Sequence, residues 1–201
     1  MIATERYSDQ VRRWPASGRH ILASYDADSI VVYQAYAADI ADHAVAHQRF
    51  GGRFNYRRMS WIKPNFLWMM FRSAWAAKEG QERILAIRLA RSFFDELLAR
   101  AVPSSLVAGR AVERPEVRLQ WDPDHGPDGV RLERRALQLG LRGESLRRYG
   151  TAEVREIVDL TAFVREQRAN AIGGLDGLLT PREEVYLPVD REIRENVGLD
   201  A

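Results

Sequence analysis

The segment 60–75, SWIKPNFLWMMFRSAW, constrains the fold of this chain more than any other stretch. Apolar residues cover nearly its whole circumference at helical spacing, which is typical of a buried helix. Pro64 predicts where that helix begins, because proline is favoured at the first helical position, where its missing N–H would be unpaired in any case. We therefore expect a core helix from Pro64 to about Lys78, against which the rest of the chain must pack.

Alternating and amphipathic segments surround this helix. Period-two alternation with β-branched and aromatic residues predicts strands at 29–36, 83–90, 117–123, 135–141 and 154–160, and an edge strand in EVYLPV near the C-terminus. Helical periodicity predicts helices over 37–50, 92–102, 143–150 and 161–170. The sum is an α+β fold: a single compact domain with a mixed or antiparallel sheet, a buried tryptophan-rich helix and several flanking helices.

Length and composition limit the class of protein. The 201 residues suit one domain, 1–201. The absence of cysteine excludes disulfides and thiolate metal sites. No apolar run reaches the ~18 residues that a membrane span needs, and no leader opens the sequence, so we expect a cytoplasmic protein without a membrane partner.

Two cations flank the predicted helix. Lys63 directly precedes Pro64, where the free N–H groups and the positive end of the helix dipole would point the same way as its amine. Such a helix start binds anions. Arg72 lies further along the helix, and burial there would require an anionic partner. Either the two form part of a ligand site, or Arg72 pairs with an internal acid and the helix is only core.

Three glutamines, Gln34, Gln120 and Gln138, lie on the polar faces of predicted strands. Paired amide donors and acceptors can recognise amide or ribose groups of a ligand. Solvent-facing glutamines would give the same pattern, so the sequence leaves both interpretations open.

Metal and nucleic-acid sites are weaker candidates. His43 and His47 are four residues apart on a helix, but no third ligand stands out, so we expect no metal. A basic run carries six arginines against two glutamates and would either follow a polynucleotide backbone or form a solvated face: Arg131, Arg134, Arg135, Arg142, Arg147 and Arg148.

Several long blocks resemble a known family. YDADSIVVYQAY, RMSWIKPNFLWMMFRSAW, KEGQERILAIRL, VRLQWDP and QLGL are similar to the signature segments of a bacterial and fungal family called domain of unknown function 4291. The resemblance spans about 19–165, and the segment 173–201 is expected to be a C-terminal extension. Asn65 and Ala74 depart mildly from the family, which often has serine and glycine there. The family implies no established activity.

A looser likeness, at the level of fold only, is to ADP-ribosyltransferase domains. That likeness implies that Gln34 holds the nicotinamide ribose and that Tyr36 or Trp61 packs on the nicotinamide. It gives Gln138 the late-strand position that usually carries a catalytic glutamate, with Glu133 nearby. An amide cannot act as the general base that a carboxylate can.

Two functional hypotheses follow. In the first, the protein binds NAD or a related nucleotide through Ser60, Trp61, Lys63 and Arg72, and acts as a group transferase, most readily in ADP-ribosyl transfer. In the second, it is a non-catalytic module that binds nucleic acid or a phosphorylated partner through the arginines of 131–148.

Overall fold

The structure, a computed structural model, describes residues 2–107 and 114–200, with the backbone alone for Leu106 and Val107. Its strands are β1 Thr4–Arg6, β2 Gly18–Arg19, β3 Ile21–Ala23, β4 Ser29–Tyr36, β5 Ser60–Ile62, β6 Arg83–Ala90, β7 Val102–Pro103, β8 Val117–His125, β9 Arg131–Leu141, β10 Val154–Asp159, β11 Leu179–Pro181 and β12 Glu184–Tyr186. Its helices are α1 Tyr7–Gln10, α2 Ala38–His47, α3 Phe66–Ser73, α4 Arg91–Ala99, α5 Ser104–Val107, α6 Gly143–Gly150, α7 Thr161–Ile172 and α8 Arg191–Val197.

The predicted α+β class is confirmed, and each of the long predicted strands is present. One sheet has the order β10–β6–β4 and is antiparallel throughout. A second has the order β2–β9–β8–β7, with β5 also paired to β9. This second sheet is mixed, because β2 and β7 run parallel to their partners while β5 and β8 run antiparallel to β9.

The core lies on both faces of β4 and β6, as expected for strands with near-continuous apolar runs. Ile30 and Val32 belong to a cluster that includes α2, α4 and the leucines of β8 and β9. Val31 and Tyr33 point the other way, into a cluster formed with α3 and α7. Both faces of the first sheet are therefore covered.

A β-bridge between Tyr33 and Lys63 connects the two sheets. The Tyr33 amide donates to the Lys63 carbonyl at 2.7 Å, and the Lys63 amide donates back to the Tyr33 carbonyl at 3.4 Å. This bridge fixes the backbone of Lys63 at the junction of the sheets, immediately after β5.

The tryptophan-rich helix is buried as predicted, but its predicted bounds are wrong. It begins at Phe66 rather than Pro64, because the Asn65 side chain caps it by accepting from the Trp68 amide at 2.6 Å. It ends at Ser73 rather than Lys78, because Ala74, Trp75 and Ala76 all take positive φ angles of 50°, 54° and 63°. Glycine, which the resembled family commonly has at 74, adopts this conformation at the least cost.

The C-terminal segment is not an appendage to the domain. β11 pairs with β1 and β12 pairs with β3, so the predicted edge strand is confirmed and the segment closes two small sheets. Between these strands, Glu183 reaches the start of α3. None of the helices among residues 2–107 and 114–200 is long and apolar enough to cross a membrane.

Candidate functional site

Lys63 is the most unusual charged residue of the described chain. Its side chain is only 6% exposed, and no ion pair joins its amine to a described residue, although the nitrogen is not among the fully buried polar atoms that lack a partner. Burial, with a smaller contribution from Arg72, lowers its pKa from 10.5 to about 8, whereas Asp122 acts in the opposite direction. A buried cation without a partner destabilises the fold, and such groups concentrate at functional sites.

The side chain of Lys63 belongs to one polar face of the second sheet. Trp61 lies opposite Gly140, Gly140 lies opposite Arg118, and Gln138 lies opposite Gln120. Directly opposed residues share a face, and residues two apart on a strand return to it. We call this surface the Lys63 face; it comprises Trp61, Lys63, Arg118, Gln120, Asp122, Gln138 and Gly140. The intervening Ile62 and leucines point into the core.

A clamped carboxylate lies on the Lys63 face. The Gln120 amide donates to Asp122 Oδ1 at 2.7 Å, and the Gln138 amide donates to Asp122 Oδ2. The two glutamines therefore orient Asp122 rather than facing solvent. No ion pair joins Asp122 to Lys63 within 4.0 Å, so the carboxylate and the amine remain separate across the face.

The sequence placed Asp122 in the predicted strand 117–123 but gave no sign of its role. The strand continues two residues further, to His125. The signal was present, because Asp122 continues the polar alternation of Gln120 in VRLQWDP. Only the hairpin register, which the sequence does not fix, brings Gln138 to the same carboxylate.

Trp61 lies flat against the sheet because residue 140 is a glycine. A Cβ at that position would lie 3.0 Å from the Trp61 ring and 2.6 Å from the Met59 sulfur. The indole is half-buried, so part of its aromatic surface is accessible to a ligand. A flat aromatic ring beside cationic groups suits the stacking of a nucleobase or nicotinamide ring.

Two further cations belong to this region. Arg118 lies on the same face of the sheet, and its Nε atom is buried and has no hydrogen-bond partner in the described part of the chain. Arg72 lies near enough to Lys63 to lower its pKa. It is exposed, so its expected burial is wrong, and it forms no ion pair with a described residue.

The predicted anion site at the helix start is wrong in one respect. Glu183 already occupies that position, and its Oε1 accepts from the Phe66 amide at 2.7 Å. Burial raises the pKa of this carboxyl well above its ordinary value. Because Glu183 is 117 residues distant in sequence, local sequence patterns could not place it at the helix. The Lys63 amine remains available to bind an anion, but the helix N-terminus does not, because Glu183 occupies it.

Three predicted site residues belong to a separate network on the other side of β5. The Gln34 amide donates to Ser60 Oγ at 2.8 Å and to the Trp61 carbonyl at 3.1 Å, and its oxygen accepts from the Tyr149 hydroxyl. The Tyr36 hydroxyl contacts Ser60 Oγ at 3.1 Å. Gln34 thus directs its hydrogen bonds inward and joins β4, β5 and α6.

Glu133 joins neither group. It is exposed, and it lies in the part of β9 where the register with β8 is irregular, between Arg131 and Arg135. The structure therefore brings together Trp61, Lys63 and Gln138, brings together Gln34, Tyr36 and Ser60 separately, and leaves Glu133 outside.

The arginines of 131–148 do not form one unpaired stripe. Arg134 is buried against Asp124 at 2.6 Å, and the Arg142 Nε donates to the Pro115 carbonyl at 3.0 Å. Arg148 binds both Glu96 and Glu153 at 2.7 Å. Three of the six arginines therefore stabilise the fold itself.

The two histidines considered as metal ligands stack on one another, with ring centroids 4.2 Å apart. Within residues 2–107 and 114–200, no group of three or more His, Asp or Glu side chains is arranged to hold a metal ion.

The fold and the Lys63 face define a single α+β domain whose mixed sheet presents a largely buried lysine and a clamped aspartate on one face. The profile of the domain of unknown function DUF4291 matches residues 20–186, and the chain therefore belongs to this family. The match confirms the family resemblance and extends past 165 to include Glu183, in keeping with the integrated C-terminal strands. A search of curated proteins found no match.

Proposed function

We propose that this protein is a nucleotide-binding group transferase whose Lys63 face holds the phosphates of an NAD-like nucleotide. The observation that supports it is the Lys63 side chain, which is only 6% exposed, has no ion pair with a described residue and lies near the cation Arg72. An anionic ligand would supply the missing partner and repay the cost of burying the charge.

The remaining groups of the face suit the other parts of such a ligand. Arg118 offers a buried, unpaired Nε–H, and the planar guanidinium group matches phosphate geometry. Arg72 lies near enough to Lys63 to lower its pKa, so it would neutralise phosphate charge at the rim. Trp61 offers a flat surface for the base or for nicotinamide.

Asp122 is our candidate for the chemical step in ADP-ribosyl transfer. There, the bond between the ribose C1′ and the nicotinamide nitrogen breaks, the acceptor nucleophile forms a bond to C1′, and the acceptor releases a proton. A carboxylate fixed by Gln120 and Gln138 would accept that proton. Gln138 then orients the base, and Glu133 takes no part.

Binding is tested by isothermal titration with NAD, ADP-ribose and ATP. Lys63→Met is expected to weaken affinity at least tenfold, since hydrogen bonds to charged groups contribute about 1.5–3 kcal/mol. The chain offers a matched control in Lys78→Met, because Lys78 is exposed and is its only other lysine. Unchanged nucleotide affinity in Lys63→Met would refute the proposal.

Catalysis is tested separately by release of nicotinamide from NAD. Asp122→Asn should retain nucleotide affinity within a few-fold but lose turnover, because an amide cannot accept the proton. Binding of a short single-stranded oligonucleotide alone, with affinity that falls steeply with salt, would instead favour the nucleic-acid module.

A further inference from the structure

A cleft of about 440 Å³ opens on the side of β5 opposite the Lys63 face. Ser60 and Trp61 are successive residues of the strand, so their side chains point to opposite faces. The cleft is lined by Tyr36, Arg53, Asn55, Arg58, Met59 and Ser60, among others. Met59 borders both regions, because its sulfur also packs close to Gly140.

The hydrogen bonds of the cleft wall leave one donor unused. The Gln34 amide group donates to Ser60 Oγ and to the Trp61 carbonyl, which can only accept, so the orientation of the amide is fixed. Ser60 and Tyr36 each carry one hydroxyl proton, and one contact of 3.1 Å joins the two oxygens. Whichever hydroxyl donates to the other, the second proton has no acceptor among the described residues.

The charge of the cleft favours an anion. Arg58 is exposed and forms no ion pair with a described residue, whereas Arg53 pairs with Asp39 at 3.2 Å. Of the described residues that line the cleft, none is acidic. A free hydroxyl donor in the same cleft as a guanidinium without a described ion-pair partner is a combination that recognises an oxyanion.

We propose that this cleft is a second binding site, which takes the phosphate or carboxylate group of a small molecule through the shared Tyr36–Ser60 hydroxyl pair and Arg58. The site is independent of the nucleotide proposal, since it shares no charged residue with the Lys63 face. Both proposals together would place an anionic second substrate across β5 from the nucleotide.

The test is a ¹H–¹⁵N NMR titration with inorganic phosphate and, separately, with acetate, at constant ionic strength. We expect saturable shifts in the amides of residues 35–37 and 58–60. The preferred anion distinguishes a phosphate ester from a carboxylate as the natural group.

The proton count makes a specific prediction for variants. Tyr36→Phe and Ser60→Ala each leave one free hydroxyl, so either change alone should weaken binding by less than about threefold. The double variant removes both donors and should weaken it about tenfold or more. Arg58→Gln should also weaken binding, whereas the neighbouring Arg57→Gln, outside the cleft lining, should not.

The same spectra show whether each variant is folded, and the surface pair Arg58 and Arg57 tests the site without altering the buried network. Shifts at the Lys63 face alone would overturn the cleft site and leave the nucleotide proposal standing. The cleft site would also be overturned if either single hydroxyl variant bound the anion as weakly as the double variant does. Shifts at the cleft that persist in Lys63→Met would support the cleft site even if nucleotide binding fails.

Discussion

Replacing Lys63 with methionine is expected to stabilise the empty protein at neutral pH. The burial of this amine lowers its pKa from 10.5 to about 8. A base whose pKa is lower in the folded state destabilises the fold wherever it is charged, so the penalty is complete below pH 8 and disappears above pH 10.5. Methionine has a similar length and no charge, and it removes that penalty.

The magnitude follows from the shift. One pKa unit corresponds to about 1.36 kcal/mol, so the charged amine costs about 3 kcal/mol of unfolding free energy at pH 7. At pH 9.5, where most of the folded-state amine is already neutral, the same relation leaves about 1 kcal/mol. For a domain of this size, the difference at pH 7 raises Tm by roughly 6–12 °C.

The assay is urea unfolding of the wild type, Lys63→Met and Lys78→Met at pH 7 and pH 9.5. Any change in packing that methionine introduces is independent of pH. The informative quantity is therefore how much the difference in unfolding free energy between variant and wild type changes from pH 7 to pH 9.5. Lys78→Met should show no such change, because Lys78 is exposed. A difference for Lys63→Met that is equal at both pH values would refute the reasoning.

Two further substitutions test the neighbouring structure. Gly140→Ala adds a Cβ only 2.6 Å from the Met59 sulfur and 3.0 Å from the Trp61 ring, so it should displace both side chains, lower the unfolding free energy by about 1–3 kcal/mol and weaken nucleotide binding in titration. Glu183→Gln keeps the oxygen that accepts from the Phe66 amide. Since the folded-state pKa of the wild-type carboxyl is raised, its contribution to stability is complete below pH 4.5 and is lost as the pH rises from there toward the folded-state pKa. The variant should therefore gain stability relative to the wild type in urea unfolding as pH rises from 4.5 to 8, and a constant difference would contradict a buried, hard-to-ionise Glu183.

Local periodicity was sufficient to predict most of the elements that form the candidate site. The core helix α3 follows from the apolar pattern of 60–75, and the strands β8 and β9 follow from their alternation, whereas the short strand β5 was not predicted. Lys63 was identified because it directly precedes Pro64, where the sequence predicted that the helix begins. These features depend only on residues that are close together in the sequence, within about one or two helical turns or a few strand residues.

The partners of these residues could not be predicted, because tertiary contacts decide them. Asp122 meets Gln138 only through the hairpin register, and Glu183 reaches α3 from the far end of the chain. Gln34 carries a pattern typical of a ligand-binding strand residue, yet Ser60, Tyr149 and the Trp61 carbonyl satisfy its amide. The early end of α3 was missed because alanine and tryptophan give no local signal for positive φ.

The choice of lysine at position 63 is itself informative in this chain, which uses arginine at 28 of its 30 basic positions. Guanidinium stays protonated at any accessible pH, so a buried arginine here would carry its desolvation cost permanently. The lysine amine loses its proton near pH 8 and is charged below it. Because a bound phosphate favours the charged form, occupation of the Lys63 face would raise this pKa and couple ligand binding to proton uptake. The lowered pKa of Lys63, which destabilises the protein without a ligand, would then make the stability of the folded protein depend more strongly on an anionic ligand.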